Sequence, residues 1–300
     1  MHRFRGIFVP LVTPFTEDGA VAWDALESLA RAVLDAGAAG LVALGTTAEA
    51  ATLDAEERRG VIDVCAGVCA SAGAPLIVGA GGNDTRASLA GLMELAAWPQ
   101  VAAALVPVPY YTRPSESGVV AHYAHLAANS PVPLIVYHIP YRTGRSLSAS
   151  TLRELAALEG VVGVKYAVGG VDADAVELLA DPPGDFAVLA GDDAFLSPLL
   201  ALGAAGGIVA TAQLATERFI ALENAWSAGD LVSARAIGGQ LAGVATTAFA
   251  EPNPTVIKGV LHALGRIPSP AVRLPLLPAA AESVDRALAA LGAVPELVAR

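Results

Sequence analysis

Of the eighteen basic residues in the chain sixteen are arginine, and the only lysines are Lys165 and Lys258. A lysine amine becomes nucleophilic once it is desolvated, which a guanidinium never does, so amine chemistry has only these two places to occur. Lys258 lies in the helical pattern TVIKGVLHALG (255–265) and reads as a solvated or snorkelling charge. Lys165 ends the apolar run VVGVK (161–165), where a charge is costly unless it is used or paired. Strand alternation puts Val161, Gly163 and Lys165 on one face and Val162 and Val164 on the other, with Gly163 leaving room beside the amine. Desolvation there lowers a lysine pKa, as a Schiff-base nucleophile requires; a buried salt-bridge partner is the competing reading.

The elements that must position Lys165 follow from the hydrophobic pattern. Eight short apolar runs recur: 6–12, 39–44, 75–80, 101–108, 133–138, 161–165, 186–190 and 206–210. They are continuously apolar, as parallel strands covered on both faces are. Helical patterns such as 21–37, 54–73 and 151–160 lie between them, and start-to-start spacings of roughly 20 to 36 residues fit one βα unit each. Eight such units predict a (β/α)8 barrel over residues 1–226, followed by a C-terminal helical domain over 227–300. An open doubly wound sheet is disfavoured, because no glycine fingerprint follows the first strand. In a barrel the active site lies at the C-terminal ends of the strands. GTT (45–47), PYY (109–111), Tyr137, Lys165 and GDD (191–193) all fall there, although a turn, a packed ring or a helix cap accounts for each one singly.

Composition removes several classes. Apolar residues make up 54% of the chain and charged residues 16%, which excludes disorder. A net charge of −11 opposes nucleic-acid binding, which needs basic density. The longest uncharged run, 194–216, is broken by Pro198, Gly203, Gly206 and Gly207, so no membrane span is expected. Pro10 and Pro14 interrupt the N-terminal apolar stretch, so it does not read as a secretion signal, and a cytoplasmic protein is expected. Cys65 and Cys69, four residues apart on a helical pattern, read as two buried small hydrophobes, and His122 and His125 as surface residues. No metal-spaced cluster, P-loop or GxSxG competes with the lysine.

GTTAEAATL (45–53), PYYTRP (109–114), YHIPYRTG (137–144), GVK (163–165), AGDD (190–193) and EPNP (251–254) together resemble the dihydrodipicolinate synthase / N-acetylneuraminate lyase family of class I aldolases, in order from about residue 6 to residue 292. The resemblance implies a barrel with a helical C-terminus, usually a homotetramer, acting on pyruvate or 2-keto acids without a metal or other cofactor. It makes Lys165 the imine-forming residue and Tyr137 the proton shuttle, with Thr46 linking the Tyr137 hydroxyl to that of Tyr111. In many members the equivalent of Tyr111 reaches into the neighbouring subunit's site. Thr46 and Thr47 would hold the pyruvate carboxylate, Arg142 the carboxylate of a second substrate, and Gly191 and the backbone of Ile208 would line the pocket. These types suit the chemistry. An imine is an electron sink that lets the methyl proton leave, and hydroxyls move protons without placing a charge beside the iminium.

The motif set favours the synthase branch, which condenses pyruvate with aspartate semialdehyde. Ala48, His138 and Tyr166-Ala167-Val168 depart from the common pattern at positions expected to flank the pocket. They keep open an aldolase or dehydratase for another aldehyde or a 2-keto-3-deoxy sugar acid; a non-catalytic binding protein on this scaffold is the remaining class. Where lysine-inhibited members carry histidines and an acidic residue, this chain has Ala55, Arg58 and Ala87, so insensitivity to lysine is expected.

Overall fold

Strands that are apolar at nearly every position need cover on both faces, and a closed parallel barrel supplies it. The computed structural model describes residues 4–294. Its strands are β1 (Gly6–Pro10), β2 (Gly40–Ala43), β3 (Leu76–Gly79), β4 (Val101–Pro107), β5 (Leu134–His138), β6 (Val161–Tyr166), β7 (Ala187–Ala190) and β8 (Gly206–Ile208). They pair in chain order, and β8 returns to β1 in parallel, which closes the barrel. Helices α1 (Trp23–Asp35), α2 (Ala55–Ala72), α3 (Thr85–Glu94), α4 (Glu116–Asn129), α5 (Pro140–Thr143), α6 (Ala149–Ala156), α7 (Ala173–Ala180) and α8 (Leu196–Ala201) lie in the crossovers. After β8 come α9 (Ala212–Ala228), α10 (Leu231–Ala248), α11 (Thr255–Ala263) and α12 (Ala281–Gly292).

Local chemistry sets the helix starts. Asp54, Asp84, Ser115, Ser148 and Asp172 each accept the backbone N–H three residues on, and Glu57 returns the bond to Asp54 as a capping box. The expected boundary after residue 226 falls within α9, which continues to Ala228. Residues 1–3 and 295–300 of the two expected units lie outside the described residues. Among the described residues no helix is long and apolar enough to cross a membrane.

Two apolar layers result. Phe8, Val42, Ile77, Ile135 and Leu189 pack inside the barrel, and a larger cluster lies between strands and helices. The strict alternation expected along β6 fails at its start. Leu134 pairs with Val161 but Ile135 pairs with Gly163, so Val162 is an inserted residue. Val161 and Val164 therefore join the helix-facing layer, and Val162 packs against the interior cluster. Past the bulge Lys165 pairs with Tyr137, and the cavity at the end of the barrel is lined by both. Gly163 does not make room for the amine. A Cβ there would lie 2.6 Å from the Ala187 carbonyl oxygen, so glycine is needed where β6 and β7 approach closely.

Candidate active site

The C-terminal ends of the strands open into a cavity of about 570 Å³. Thr46, Thr47, Tyr137, Arg142, Lys165 and Gly191 all line it, so six of the eight expected site residues meet in one place. A second cavity of about 530 Å³ adjoins it and shares Thr46, Tyr137, Arg142 and Asn253.

Lys165 is 7% exposed, and among the described residues no hydrogen bond or ion pair engages it. Its Nζ stands 4.5 Å from the centre of the Tyr137 ring, a cation–π contact. A buried amine with no direct ion pair, felt only by the more distant carboxyls of Asp192 and Asp193, is costly, so its retention points to chemical use. Gly191 provides the space: a Cβ at that position would lie 2.8 Å from Lys165 Cγ and 3.1 Å from Lys165 Cε.

Lys258 is not a solvated charge. It is 0% exposed, ion-paired with Glu49, and donates to the Ala271 carbonyl at 2.9 Å. α11 is buried at every position from Thr255 to Leu261, so Lys258 has no route to water. Burial lowers the Lys258 amine to about 8 against the opposing pull of Glu49. One lysine is thus neutralised by the fold and the other is left free beside a phenol.

The turn after β2 is a short 3-10 helix, Thr46–Ala48, whose first amides have no acceptor within it. Thr47 Oγ1 accepts a hydrogen bond from Asn253 Nδ2 at 3.0 Å, which leaves its own hydroxyl proton free for an anion. Asn253 belongs to EPNP, carried over the barrel mouth between α10 and α11, and sequence reasoning gave it no role. Arg142, on the single turn of α5, donates from Nε to the Tyr141 hydroxyl at 2.9 Å and stacks on its ring. Among the described residues its remaining guanidinium donors take no partner.

Tyr111 and Ile208 are not brought in. Tyr111 is 88% exposed with a left-handed φ of +66°, and its hydroxyl bonds to neither Thr46 nor Tyr137 within the single chain. Its loop is held outward by Arg113, which donates to the Gly144 carbonyl at 2.9 Å. The Ile208 side chain packs inside the barrel, and Ile208 is not among the residues of the cavity wall; its expected contribution was through the backbone.

The Asp pair caps nothing. Asp192 accepts from the Gly169 amide at 2.6 Å, and Asp193 accepts from the Thr211 amide and hydroxyl at 2.5 and 2.6 Å, so both tie loops around the cavity. Burial raises the pKa of each carboxyl, against these hydrogen bonds and the pull of Lys165. His138 and Tyr166 do not flank the pocket. They alternate with Tyr137 and Lys165, so they face the helical layer, where their rings meet at 5.4 Å and the Tyr166 hydroxyl donates to Asp172 at 2.6 Å.

His122 is buried rather than on the surface, and its Nδ1 lies 2.8 Å from Thr85 Oγ1. His125 is exposed. Cys65 and Cys69 are buried as expected, and burial raises both thiols, Cys69 to about 11. Among the described residues no group of three His, Cys, Asp or Glu side chains is placed to hold a metal ion.

A closed (β/α)8 barrel with a buried lysine at a strand end, beside a tyrosine and in a cavity that an arginine also lines, defines a lyase of the lysine-imine class. The sequence matches the profile of the Dihydrodipicolinate synthetase family over residues 3–293, and the chain belongs to that family. It is 37% identical over 276 residues to 4-hydroxy-tetrahydrodipicolinate synthase 2 of Clostridium acetobutylicum, covering 92% of this chain and 95% of that protein. It is 39% identical to 4-hydroxy-tetrahydrodipicolinate synthase of Moorella thermoacetica over 287 residues, 95% of this chain and 96% of that one. The crystal structure of the chloride-inhibited dihydrodipicolinate synthase of Acinetobacter baumannii, complexed with pyruvate, superimposes with a TM-score of 0.90 at 34% identity, covering 96% of this chain and 99% of that one.

Proposed function

We propose that this chain is a 4-hydroxy-tetrahydrodipicolinate synthase, which condenses pyruvate with aspartate semialdehyde through an imine on Lys165. The observation that carries the reading is the free, buried Lys165 amine 4.5 Å from the Tyr137 ring, in a cavity that Arg142 also lines. Lys165 Nζ attacks the keto carbon, and the carbinolamine oxygen leaves as water after accepting a proton. Loss of a methyl proton from the iminium gives an enamine, whose carbon attacks the aldehyde while the aldehyde oxygen takes up a proton; the semialdehyde's own amino group then adds to the iminium carbon and expels the Lys165 amine, which closes the ring and frees the enzyme. Tyr137, whose ring lies beside the amine, passes these protons in this reading. Thr46 and Thr47 hold the pyruvate carboxylate with amides and hydroxyls, and Arg142 meets the carboxylate of the semialdehyde. No metal or cofactor enters this scheme.

In this reading the chain acts in the cytoplasm as a homotetramer. Tyr111 projects into solvent near Tyr110, the residue that lines the second cavity, and a neighbouring subunit is what would receive it. His138 and Tyr166 face away from the cavity, so these two departures from the family pattern do not argue for a different aldehyde.

Borohydride reduction in the presence of pyruvate tests the reading. A reduced pyruvyl adduct is expected on the Lys165 peptide, and aspartate semialdehyde is expected to be consumed with pyruvate in equal amounts. Label on Lys258, or no label on active enzyme, overturns the mechanism. Activity only with other aldehydes overturns the substrate assignment.

A further inference from the structure

We propose that the buried Glu49–Lys258 ion pair is a positioning device for the turn at Thr46–Thr47, and so sets pyruvate affinity. The inference rests on the reading of that turn as the carboxylate holder.

The turn borders substrate space, so the contacts around it must fix its amides. Glu49 supplies them. It ends the Thr46–Ala48 turn in a left-handed conformation, φ +53°, ψ 35°, and its amide donates to the Thr46 carbonyl at 3.1 Å. A non-glycine residue held there is strained, and persists only where its surroundings over-determine it. The determinants are visible: one carboxylate oxygen meets Lys258 Nζ, and the other accepts the Arg273 amide at 2.9 Å. Lys258 is further confined by the Ala271 carbonyl and by the Phe15 ring, 3.9 Å from Nζ. Arg273 in turn grips Glu57 and the carbonyls of Thr52 and Gly19.

The same short segment holds the front of the turn. Asn253 Nδ2 donates to Thr47 Oγ1 at 3.0 Å, and the Lys258 amide donates to the Pro254 carbonyl at 2.9 Å. Residues 253–258 therefore fix Thr47 through Asn253 and Glu49 through Lys258, one on either side of the anion-facing amides. A buried ion pair is a weak source of stability, since an apolar pair of the same volume often does as well. Its directional hold on a strained residue is what an apolar pair cannot reproduce. The lowered amine of Lys258 agrees, because burial there outweighs the attraction of Glu49.

The test compares wild type with the neutral double variant Glu49→Gln/Lys258→Met, which leaves no unpaired charge in the core. The readouts are KM for each substrate, kcat, the pyruvate concentration for half-maximal borohydride trapping, and thermal stability. A rise of at least 10-fold in pyruvate KM and in the trapping midpoint is expected, with smaller changes in kcat and in the aldehyde KM. Should the double variant not fold, Glu49→Asp, which keeps the charge and shortens its reach to Lys258 and the Arg273 amide, carries the same expectation. Unchanged pyruvate KM in a folded variant overturns the proposal. So does an equal loss in both KM values and kcat, which marks a purely structural role. Wild type that fails to trap pyruvate on Lys165 overturns the underlying reading instead.

Discussion

Replacing Gly191 by alanine puts a methyl group into the space that the Lys165 side chain occupies. The new Cβ would lie 2.8 Å from Lys165 Cγ, 3.1 Å from Lys165 Cε and 2.8 Å from Ala167 Cβ. The backbone φ at 191 lies outside the left-handed region, so space alone is the obstacle. Neither wall yields easily. The Gly191 amide is held by the Tyr166 carbonyl at 2.7 Å, and the Ala167 amide by the His138 carbonyl at 2.9 Å. The flexible lysine stem must move instead, by about 1 Å if contacts are to return to ~3.8 Å. A shift of that size at a reacting atom costs on the order of 100-fold in rate. The overpacking itself costs ~1–3 kcal/mol of stability. Single-turnover trapping of pyruvate with borohydride reads the imine step directly, and thermal melting confirms the fold. A variant that melts cooperatively and forms the imine within about 2-fold of the wild-type rate would refute the argument that Gly191 exists to seat Lys165.

Tyr137→Phe keeps the ring beside Lys165 and removes the hydroxyl, so kcat is expected to fall about 10²-fold with little change in KM; an unchanged kcat assigns the proton to another group. Arg142→Ala is expected to raise KM for a carboxylate-bearing aldehyde by about 10- to 100-fold, with much less effect on pyruvate, whereas equal loss with an uncharged aldehyde marks a structural role. His138 yields a pH prediction, since burial holds its imidazole near about 4 against 6.5 ordinarily, despite the opposing pull of Asp172, Asp174 and Glu116. As pH falls from 6.5 the unfolded chain takes up a proton that the native state refuses, so stability is lost towards pH 4, by about 2–3 kcal/mol at pH ~4.5. His138→Asn is expected to flatten that acid limb of the melting curve, and an unchanged limb places the loss elsewhere. Free lysine at millimolar concentration is expected to leave turnover unchanged, because Arg58, exposed and without an ion pair among the described residues, lines the cavities beside the Thr46–Thr47 turn and repels an ammonium; half-inhibition below about 1 mM, roughly 4 kcal/mol of binding, would mean that an acidic partner exists there.

The sequence by itself determined the barrel, because eight apolar runs without a polar face admit few other packings, and the scarcity of lysine narrowed the nucleophile to two residues. Strand-end placement then gathered Thr46, Thr47, Tyr137, Lys165 and Gly191, and the family resemblance added Arg142; all six line one cavity, since a strand's end is a local property of the chain. What the sequence left open was set by contacts between residues far apart in it. Whether Lys258 is solvated depends on Glu49, 209 positions away, and the hold on Thr47 depends on Asn253, 206 positions away. The bulge at Val162 arises from the pairing register between two strands, which neither strand encodes alone. It resets which side of β6 faces inward. Lys165 points into the cavity, and His138 and Tyr166 away from it, because strand alternation is counted from the last irregularity in pairing and not from the first residue of the run.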